Sequence, residues 1–387
     1  MNRYNRVTMS FRPTWAEVSL GALKQNFRAI RRHIGDRPQI CAVVKADAYG
    51  HGGAECARAL EAEGATWFGV TSTDEGILLR EAGIQGRILL LTGFWRGDQD
   101  DVVHHQLTPA VWEPWQIELL EAAVRQARAA AFPVHIKVDT GMTRLGVNTA
   151  DLPALCRRII NSRQLTIQGL FTHLASSEVL DAEDAAKQVA EFEKVLGSLA
   201  ELEIAPTLIH MANSAAIVAR PETWKNMVRP GLALYGYCTP IRGGHRASTD
   251  APVELKPVLS WKTRVLSLRD VCAGRAVGYN ASYITHSPAR LAVLPAGYAD
   301  GLDRQLSSRG RVLIRGQYAP IVGIVSMDLT IVDVSGIPAT EVGDEVVILG
   351  TSETATINAW EYARLCATIP YEVLCRISKR VPRRYVE

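Results

Sequence analysis

The chain has 387 residues, 47% of them hydrophobic and 21% charged, which is enough for two domains or for one large barrel with an appended domain. Its 43 basic and 40 acidic residues leave a net charge of +3 without a long run of one sign, which argues against nucleic acid or a membrane surface as the main partner. No segment approaches the roughly 18 consecutive apolar residues of a membrane span, and residues 1–12 lack the apolar core of a signal peptide, so we expect a cytoplasmic protein.

The cysteines indicate a reducing environment and no metal site. There are seven of them, an odd number, without a C-x-x-C pair, and most lie within apolar runs. The adjacent histidines 104 and 105 have no cysteine or H-x-x-E-H pattern near them. We therefore predict buried thiols and no metal.

Short β-type runs alternate with amphipathic helical patterns between residues 14 and 238. The helical patterns include residues 20–30, 115–130 and 182–202. The predicted strands cover residues 40–44, 67–71, 87–91, 108–112, 134–138, 167–173, 208–212 and 227–234. This alternation predicts a (β/α)8 barrel of the TIM type over residues 14–238. An open doubly wound sheet is the alternative, weakened because no G-x-G-x-x-G follows the first strand.

The pattern changes after residue 238. Residues 239–257 are rich in Pro, Gly and polar side chains and are the best candidate for a linker. Beyond them the predicted strands are 258–268, 290–294, 311–314, 319–325, 330–334 and 345–349, followed by a helix over 359–367. We predict a smaller, mainly β domain over residues 257–387, with which residues 1–13 associate.

Lys45 is the first candidate for chemistry. It ends the apolar run 40–44 in the stretch A-V-V-K-A-D-A-Y-G-H-G, and Tyr49 follows. Burial at a strand end disfavours a charged lysine and leaves a nucleophilic amine, the group that forms a Schiff base with an aldehyde. A lysine that extends its ammonium to solvent is the alternative.

Polar residues stand at the ends of other predicted barrel strands too, and these ends share one face of a barrel. They are Lys137, Arg144, His173, Asn213, Ser214 and Arg229, with Gly231 and Leu232 just after. Singly, each has a structural alternative: a core residue, a salt bridge or a helix cap. Together, a lysine amine and a hydroxyl and N–H cluster suited to phosphate indicate pyridoxal 5'-phosphate.

At the level of motifs, the chain resembles the alanine racemases, fold-type III enzymes that depend on pyridoxal phosphate. The resemblance covers nearly the whole length. It rests on A-V-V-K-A-D-A-Y-G-H-G, K-V-D-T-G-M-T-R-L-G, F-T-H-L-A, A-N-S-A, V-R-P-G-L-A-L-Y-G, V-G-Y-N-A-S-Y, A-G-Y-A-D-G, S-M-D and I-P-Y-E-V-L.

The resemblance implies a two-base racemisation of alanine that supplies D-alanine for peptidoglycan. Lys45 would hold the cofactor and act as the base on one face, and Tyr279 as the base on the other. His173 and then Arg229 would stand behind Tyr279 through hydrogen bonds. Tyr279 would reach the barrel of the other subunit, which implies a homodimer with shared sites.

Further site residues follow from the same resemblance. Arg144 and the backbone of Met327 would bind the substrate, and Lys137 matches a lysine that is often carbamylated. Glu178 stands where aspartate is more usual and Asn280 where glycine is. Cofactor contacts are implied for Lys45, Tyr49, His173, Asn213, Ser214, Arg229, Gly231, Leu232 and Tyr371, and a substrate channel for Glu178, Tyr298, Arg304, Ile369 and Tyr371.

Three other functions remain as alternatives. A racemase of broader specificity, for example for serine, would share the site. A fold-type III decarboxylase would use a cysteine of the β domain, for which Cys272 is the nearest candidate. A non-catalytic pyridoxal-phosphate carrier would lack the β domain that residues 258–387 predict.

Overall fold

The structure is a computed structural model that describes residues 12–243 and 253–387. Residues 1–11 and 244–252, which carry most of the predicted N-terminal extension and half of the predicted linker, lie outside the described residues. The chain divides into two compact units. One comprises residues 22–256, and the other combines the residues up to 21 with 257–387.

The first described residues of the chain belong to the second unit. Strand β1 (Trp15–Ser19) pairs antiparallel with a strand of that unit near residue 260, and helix α1 (Leu20–Ile34) leads into the first unit. The predicted barrel began at residue 14, whereas the unit that contains the barrel begins at residue 22. The difference arises because β1 finds its ladder partners in the second unit.

A parallel barrel forms the first unit, as the alternating pattern predicted. Its strands run in the order β10-β2-β3-β4-β5-β6-β8-β9, with the short β7 beside β6. Backbone hydrogen bonds from Asn226 to Ile209 (3.3 Å) and from Arg229 to Ala212 (2.9 Å) join the two ends. The strands are β2 (Gln39–Val43), β3 (Trp67–Val70), β4 (Arg87–Leu90), β5 (Leu107–Val111), β6 (Phe132–Asp139), β7 (Val147–Asn148), β8 (Leu165–Phe171), β9 (Leu208–His210) and β10 (Met227–Val228).

Helices surround these strands because each has one apolar face. In α1, Leu23, Phe27 and Ile30 are buried at spacings of three and four, and basic residues fill its last turn. The other helices are α3 (Gly53–Ala62), α4 (Thr73–Glu81), α5 (Gln99–His104), α6 (Pro114–Gln126), α7 (Leu152–Ile160), α8 (Glu183–Glu201) and α9 (Ser214–Ala219), and α2 (Lys45–Gly50) is a short segment with left-handed backbone angles.

The predicted eighth strand, 227–234, is wrong beyond residue 228. Leu232–Tyr235 form a 3-10 helix instead. Pro230 cannot donate to a ladder, and Gly231 has φ −114° and ψ −92°, outside the β region. The strand therefore ends early, and the backbone turns across the barrel end.

The second unit is mainly β, as predicted. Its largest sheet has the order β17-β16-β19-β11-β1-β21, with β20 on β19; β12, β15 and β18 form a second sheet, and β13 and β14 a hairpin. The predicted strand 319–325 ends at Pro320, and Gly323 beyond it has φ +75°. The elements are β11 (Leu259–Arg264), β12 (Ser267–Val271), β13 (Ala276–Val277), β14 (Tyr283–Ile284), β15 (Ala289–Leu294), β16 (Arg311–Ile314), β17 (Gln317–Pro320), β18 (Thr330–Asp333), β19 (Glu345–Ser352), β20 (Ala355–Ile357), α10 (Ala359–Leu365), α11 (Pro370–Cys375) and β21 (Arg383–Val386).

Candidate active site

Lys45 begins a left-handed turn at the carboxyl end of β2. Residues 46–49 all have φ between 52° and 55° and ψ between 38° and 49°, although none is glycine. Such a conformation costs about 1–2 kcal/mol per residue, so the surrounding structure must hold it. Ala46 N–H donates to Glu75 Oε1 (2.7 Å), and Asp47 Oδ1 accepts from Gly53 N–H (2.6 Å). The turn is thus fixed from both sides.

The same turn brings Tyr49 to the loop after β10. A Cβ placed on Gly231 would lie 2.3 Å from Tyr49 Oη, so only glycine leaves room for the hydroxyl. Ser214 Oγ accepts from the N–H groups of Gly231 (2.9 Å) and Ala233 (3.2 Å). Ser214 Oγ is thus the acceptor of both bonds and keeps its own proton to donate. Its hydroxyl and that of Tyr49 therefore cluster near the same loop, and both are donors that suit an anion.

The side chain of Asn213, next to this cluster, has a structural role. It caps α9, with Oδ1 accepting from Ala216 N–H (3.0 Å) and from the hydroxyl of Ser177 (2.9 Å). Its side-chain oxygen is therefore occupied by the protein. A contact with a cofactor would have to come from its other atoms.

Arg229 is buried and held from several sides. Its Nη2 donates to the carbonyls of Thr172 (2.8 Å) and Met211 (3.0 Å) and lies 3.4 Å from His173 Nδ1, while Nη1 donates to His210 Nδ1 (2.7 Å). Burial lowers the pKa of Arg229 to about 10, which leaves it charged at neutral pH. Burial and then the Arg229 charge lower the pKa of His173 to about 3, so this imidazole is neutral.

Lys137 adds a second buried cation. It is 5% exposed, and its Nζ lies 5.5 Å from the centre of the Phe171 ring. Burial, followed by the charges of Arg144, Arg229 and Lys45, lowers the pKa of Lys137 to about 8. Three further basic side chains are therefore within electrostatic range of Lys137, which favours an anionic ligand.

The loop that carries Arg144 is anchored at the end of β6. Asp139 Oδ1 accepts from the N–H groups of residues 141, 142 and 143 at 2.9–3.0 Å. Glu178 lies after β8, and its carbonyl accepts from Arg242 N–H (2.8 Å). Both loops lie in the unit that contains the barrel.

The second unit holds the remaining predicted residues. Tyr298 N–H donates to the Ser326 carbonyl (3.0 Å), which places Tyr298 beside Met327. Asp300 fixes this turn: its carboxylate accepts from Gly297 N–H (2.9 Å) and pairs with Arg12 and Arg380, both at 3.0 Å. Arg304 begins a 3-10 helix. Ile369 directly precedes α11, and Tyr371 lies within α11.

Tyr279 is 67% exposed and begins a short turn in the same unit. Asn280, which follows it, has φ +60° and ψ 17°. Asparagine tolerates this left-handed conformation better than other non-glycine residues, which explains how the departure from glycine is accommodated.

The sequence motifs missed His135 and His210, which line the barrel interior beneath Arg229. The imidazole of His210 stacks on Phe171, with ring centres 4.7 Å apart, and lies 3.0 Å from His135. A signal was present, because side chains alternate along a strand and His135 therefore shares a face with Lys137.

Two family models match the chain. The alanine racemase N-terminal domain matches residues 18–239, and the alanine racemase C-terminal domain matches residues 258–385. The chain belongs to the alanine racemase family. The predicted family, fold class and enzyme class, an amino-acid isomerase, are confirmed.

Members of the alanine racemase family match over nearly the full length of the chain. The chain is 40% identical to an alanine racemase from Sorangium cellulosum (97% of this chain, 100% of the relative). It is 41% identical to one from Symbiobacterium thermophilum (97% of each). The solved alanine racemase from Streptomyces coelicolor superposes with a TM-score of 0.90 at 33% identity, covering 98% and 99% of the two chains.

Alanine racemases depend on pyridoxal phosphate, and the residues of this chain fit that cofactor. The enzyme from Bartonella henselae (TM-score 0.84, 32% identity, 97% and 99% covered) has pyridoxal phosphate covalently bound. Here the hydroxyls of Ser214 and Tyr49 are donors that suit a phosphate, and Lys45 begins the turn that brings Tyr49 to the loop at Gly231. Among residues 12–243 and 253–387, no group of His, Cys, Asp and Glu could hold a metal ion, and no helix is long and apolar enough to cross a membrane.

Proposed function

We propose that this chain interconverts L-alanine and D-alanine with pyridoxal phosphate held by Lys45. The observation that carries the proposal is the barrel site itself, where Arg229, the Ser214 cluster and a turn that begins at Lys45 share one unit of a chain of this family. The physiological role that we propose is the supply of D-alanine for peptidoglycan.

Different residues of the chain would bind different parts of the cofactor. When bound, pyridoxal phosphate supplies an aldehyde and an electron-poor ring that stabilises negative charge at the substrate Cα. Tyr49, Ser214, Gly231 and Leu232, with Tyr371, would hold the phosphate. Arg229 would donate to the ring nitrogen and keep its proton, because a guanidinium stays protonated at neutral pH. Arg229 would thereby leave the ring nitrogen unprotonated and make the ring a weaker electron sink, which would limit side reactions at the substrate Cα.

Two bases on opposite faces would invert the configuration at Cα. Lys45 Nζ would take or return the proton on one face, and Tyr279 of the partner subunit would do so on the other. Three of the predicted site residues in the second unit are strongly exposed: Tyr279 (67%), Met327 (53%) and Ile369 (55%). This exposure supports a homodimer in which a second copy covers them.

The cation cluster would orient the substrate. Arg144 and the backbone of Met327 would bind its carboxylate. Lys137 would be carbamylated: the neutral amine adds to CO2 and releases a proton, so that an anion replaces a cation beside Arg144. A pKa of about 8 supports this step, because it leaves part of the amine neutral near physiological pH. Mass spectrometry of the native protein tests it, and an unmodified amine in CO2-saturated buffer would refute it.

Glu178, Tyr298, Arg304 and Ile369 would line the substrate channel. The side chain of Glu178 is longer than the usual aspartate, and Asn280 adds a side chain next to Tyr279. These two positions are where we expect substrate breadth to be set.

A chiral assay tests the proposed reaction. The protein is incubated with pyridoxal phosphate and L-alanine, in parallel with L-serine, L-lysine and L-arginine, and both D-amino acids and CO2 are measured. We expect D-alanine to form fastest and without CO2. Release of CO2 would assign the chain to the decarboxylases, and a faster reaction with serine would make it a broader racemase. A bound cofactor without turnover would favour a carrier.

Hybrid dimers test the shared site. In a dimer of a Lys45→Ala chain with a Tyr279→Phe chain, one site would carry both changes and the other neither. We therefore expect the mixture to recover activity that each variant lacks alone. If Tyr279 acted within its own subunit, the mixture would stay inactive.

A further inference from the structure

A chain of buried polar side chains continues from Arg229 into the barrel, away from the proposed cofactor site. Arg229 Nη1 lies 2.7 Å from His210 Nδ1, and His210 Nε2 lies 3.0 Å from His135 Nδ1. All three side chains are at most 4% exposed. The proposed reaction assigns no role to either histidine.

The direction of each hydrogen bond in this chain is determined. A guanidinium only donates, so His210 Nδ1 accepts and its proton lies on Nε2. His210 Nε2–H therefore donates to His135 Nδ1, and the proton of His135 lies on its own Nε2. Both rings are neutral, because burial lowers the pKa of His135 to about 3 and that of His210 well below its usual value.

The last donor of this chain faces Gln168. His135 Nε2 and Gln168 Oε1 are both buried, and neither has a hydrogen-bond partner among the described residues. Gln168 is nevertheless close enough to the ring to raise the pKa of His135, against the larger opposite effect of burial. A small rotation of the Gln168 amide would let His135 Nε2–H donate to Gln168 Oε1.

The backbone is shaped to make this pairing. Strand β8 contains an irregularity opposite His135: Val134 pairs with Ile167 and His135 with Gly169, so that Gln168 is an extra residue. A bulge of this kind redirects a side chain. In addition, a Cβ on Gly169 would lie 2.3 Å from His135 Nδ1, so glycine makes room for the ring.

We propose that His135 and Gln168 are positioning residues for Arg229. They complete a one-directional chain of hydrogen bonds, Arg229 to His210 to His135 to Gln168, that holds the guanidinium in one plane. The role in catalysis rests on the proposed function, in which Arg229 faces the cofactor ring. The hydrogen-bond chain itself does not, and can be tested without cofactor.

The first test is NMR of the cofactor-free protein with ring-15N histidine. The two signals are assigned by their loss in His135→Asn and His210→Asn. We expect both rings to be neutral Nε2–H tautomers from pH 5 to 9. In Gln168→Met, which keeps the side-chain volume but removes the acceptor, the Nε2 signal of His135 should shift. Gln164→Met, a half-buried glutamine before the same strand, should shift neither signal.

Three outcomes of this measurement would overturn the chain. They are an Nδ1–H tautomer at either ring, titration of either ring in that pH range, and an unchanged His135 signal in Gln168→Met. Each outcome is independent of whether the protein racemises alanine.

The second test is made with the cofactor bound. We expect Gln168→Met to lower kcat about 5-fold, equivalent to about 1 kcal/mol, at an unchanged KM, and to shift the cofactor absorbance maximum. Gln168→Glu, which retains an acceptor, should recover most of kcat. If Gln168→Met has the same kcat and absorbance maximum as Gln164→Met, the positioning role is refuted. This holds even if NMR finds the expected Nε2–H tautomers of His135 and His210.

Discussion

Lys137 is expected to destabilise the cofactor-free barrel at neutral pH, and Lys137→Met should relieve this. Its pKa falls from 10.5 to about 8 on folding, mainly by burial. Each pKa unit corresponds to about 1.4 kcal/mol, so charging Lys137 in the folded state costs about 3 kcal/mol. Methionine keeps the buried stem and removes the charge.

The sign of the pH dependence follows from linkage. Below about pH 8 both the folded and the unfolded states hold the proton, and the cost is fully present. Between about pH 8 and 10.5 the unfolded state holds more protons, so the stability of the wild type rises with pH. Lys137→Met should therefore gain about 3 kcal/mol at pH 7 and less than about 1 kcal/mol at pH 10.

The assay is urea unfolding in CO2-free buffer, followed by amide hydrogen exchange of the peptide 132–139, which reports on the barrel. Lys262→Met is the matched control. Lys262 pairs with Glu17 (2.8 Å) and Glu345 (3.2 Å), its pKa is raised, and its loss should destabilise the protein at pH 7. A Lys137→Met protein no more stable than the wild type at pH 7, or equally stabilised at pH 10, would refute the reasoning.

Two further predictions concern the local backbone. Ala46 is exposed with φ +52°, so Ala46→Val should lower the free energy of unfolding by roughly 1–2 kcal/mol relative to Ala46→Gly, because a β-branched residue resists the left-handed region; equal urea midpoints would contradict the strain assigned to this turn. Asn213→Ala should cost roughly 1–3 kcal/mol because it removes a helix cap and leaves the buried Ser177 hydroxyl without its acceptor, whereas Asn213→Asp should retain most of the stability. The check is thermal unfolding of the cofactor-free protein, and an equal loss in both variants would assign another role to Asn213.

The strands of the barrel could be predicted because their signal is local. A run such as 40–44 is apolar throughout, as a strand buried on both faces must be, and the structure places β2 over Gln39–Val43. The β1 strand shows the limit of local reading. Its pattern W-A-E-V-S resembles any short strand. Only its pairing with Leu259–Arg264 and Arg383–Val386, more than 200 residues later, assigns it to the second unit.

The turn after Lys45 could not be predicted in its observed form. The letters K-A-D-A-Y favour an ordinary right-handed helix, and Ala46 and Ala48 have no intrinsic preference for positive φ. The conformation depends on Glu75, about thirty residues away, which accepts from Ala46 N–H. Here tertiary contacts override the local helix propensity, and the pattern of a single sequence does not indicate such contacts.

Several departures from local rules lie in the barrel, among them the longest run of left-handed non-glycine residues in the described part of the chain, residues 46–49. Four non-glycine residues in the left-handed region, the extra residue Gln168 in β8, and the buried cations Lys137 and Arg229 each cost stability by themselves. All of them belong to the barrel and bear on the groups around Arg229 or on the turn that begins at Lys45. Single left-handed residues occur elsewhere in the chain, but four in succession beside two buried cations occur only here among the described residues, which supports assigning the chemistry to this end of the barrel. The same reasoning makes substitution of Gln168 the most informative test. Gln168 is the extra residue of the β8 bulge, and pairing with His135 is the role that we propose for it.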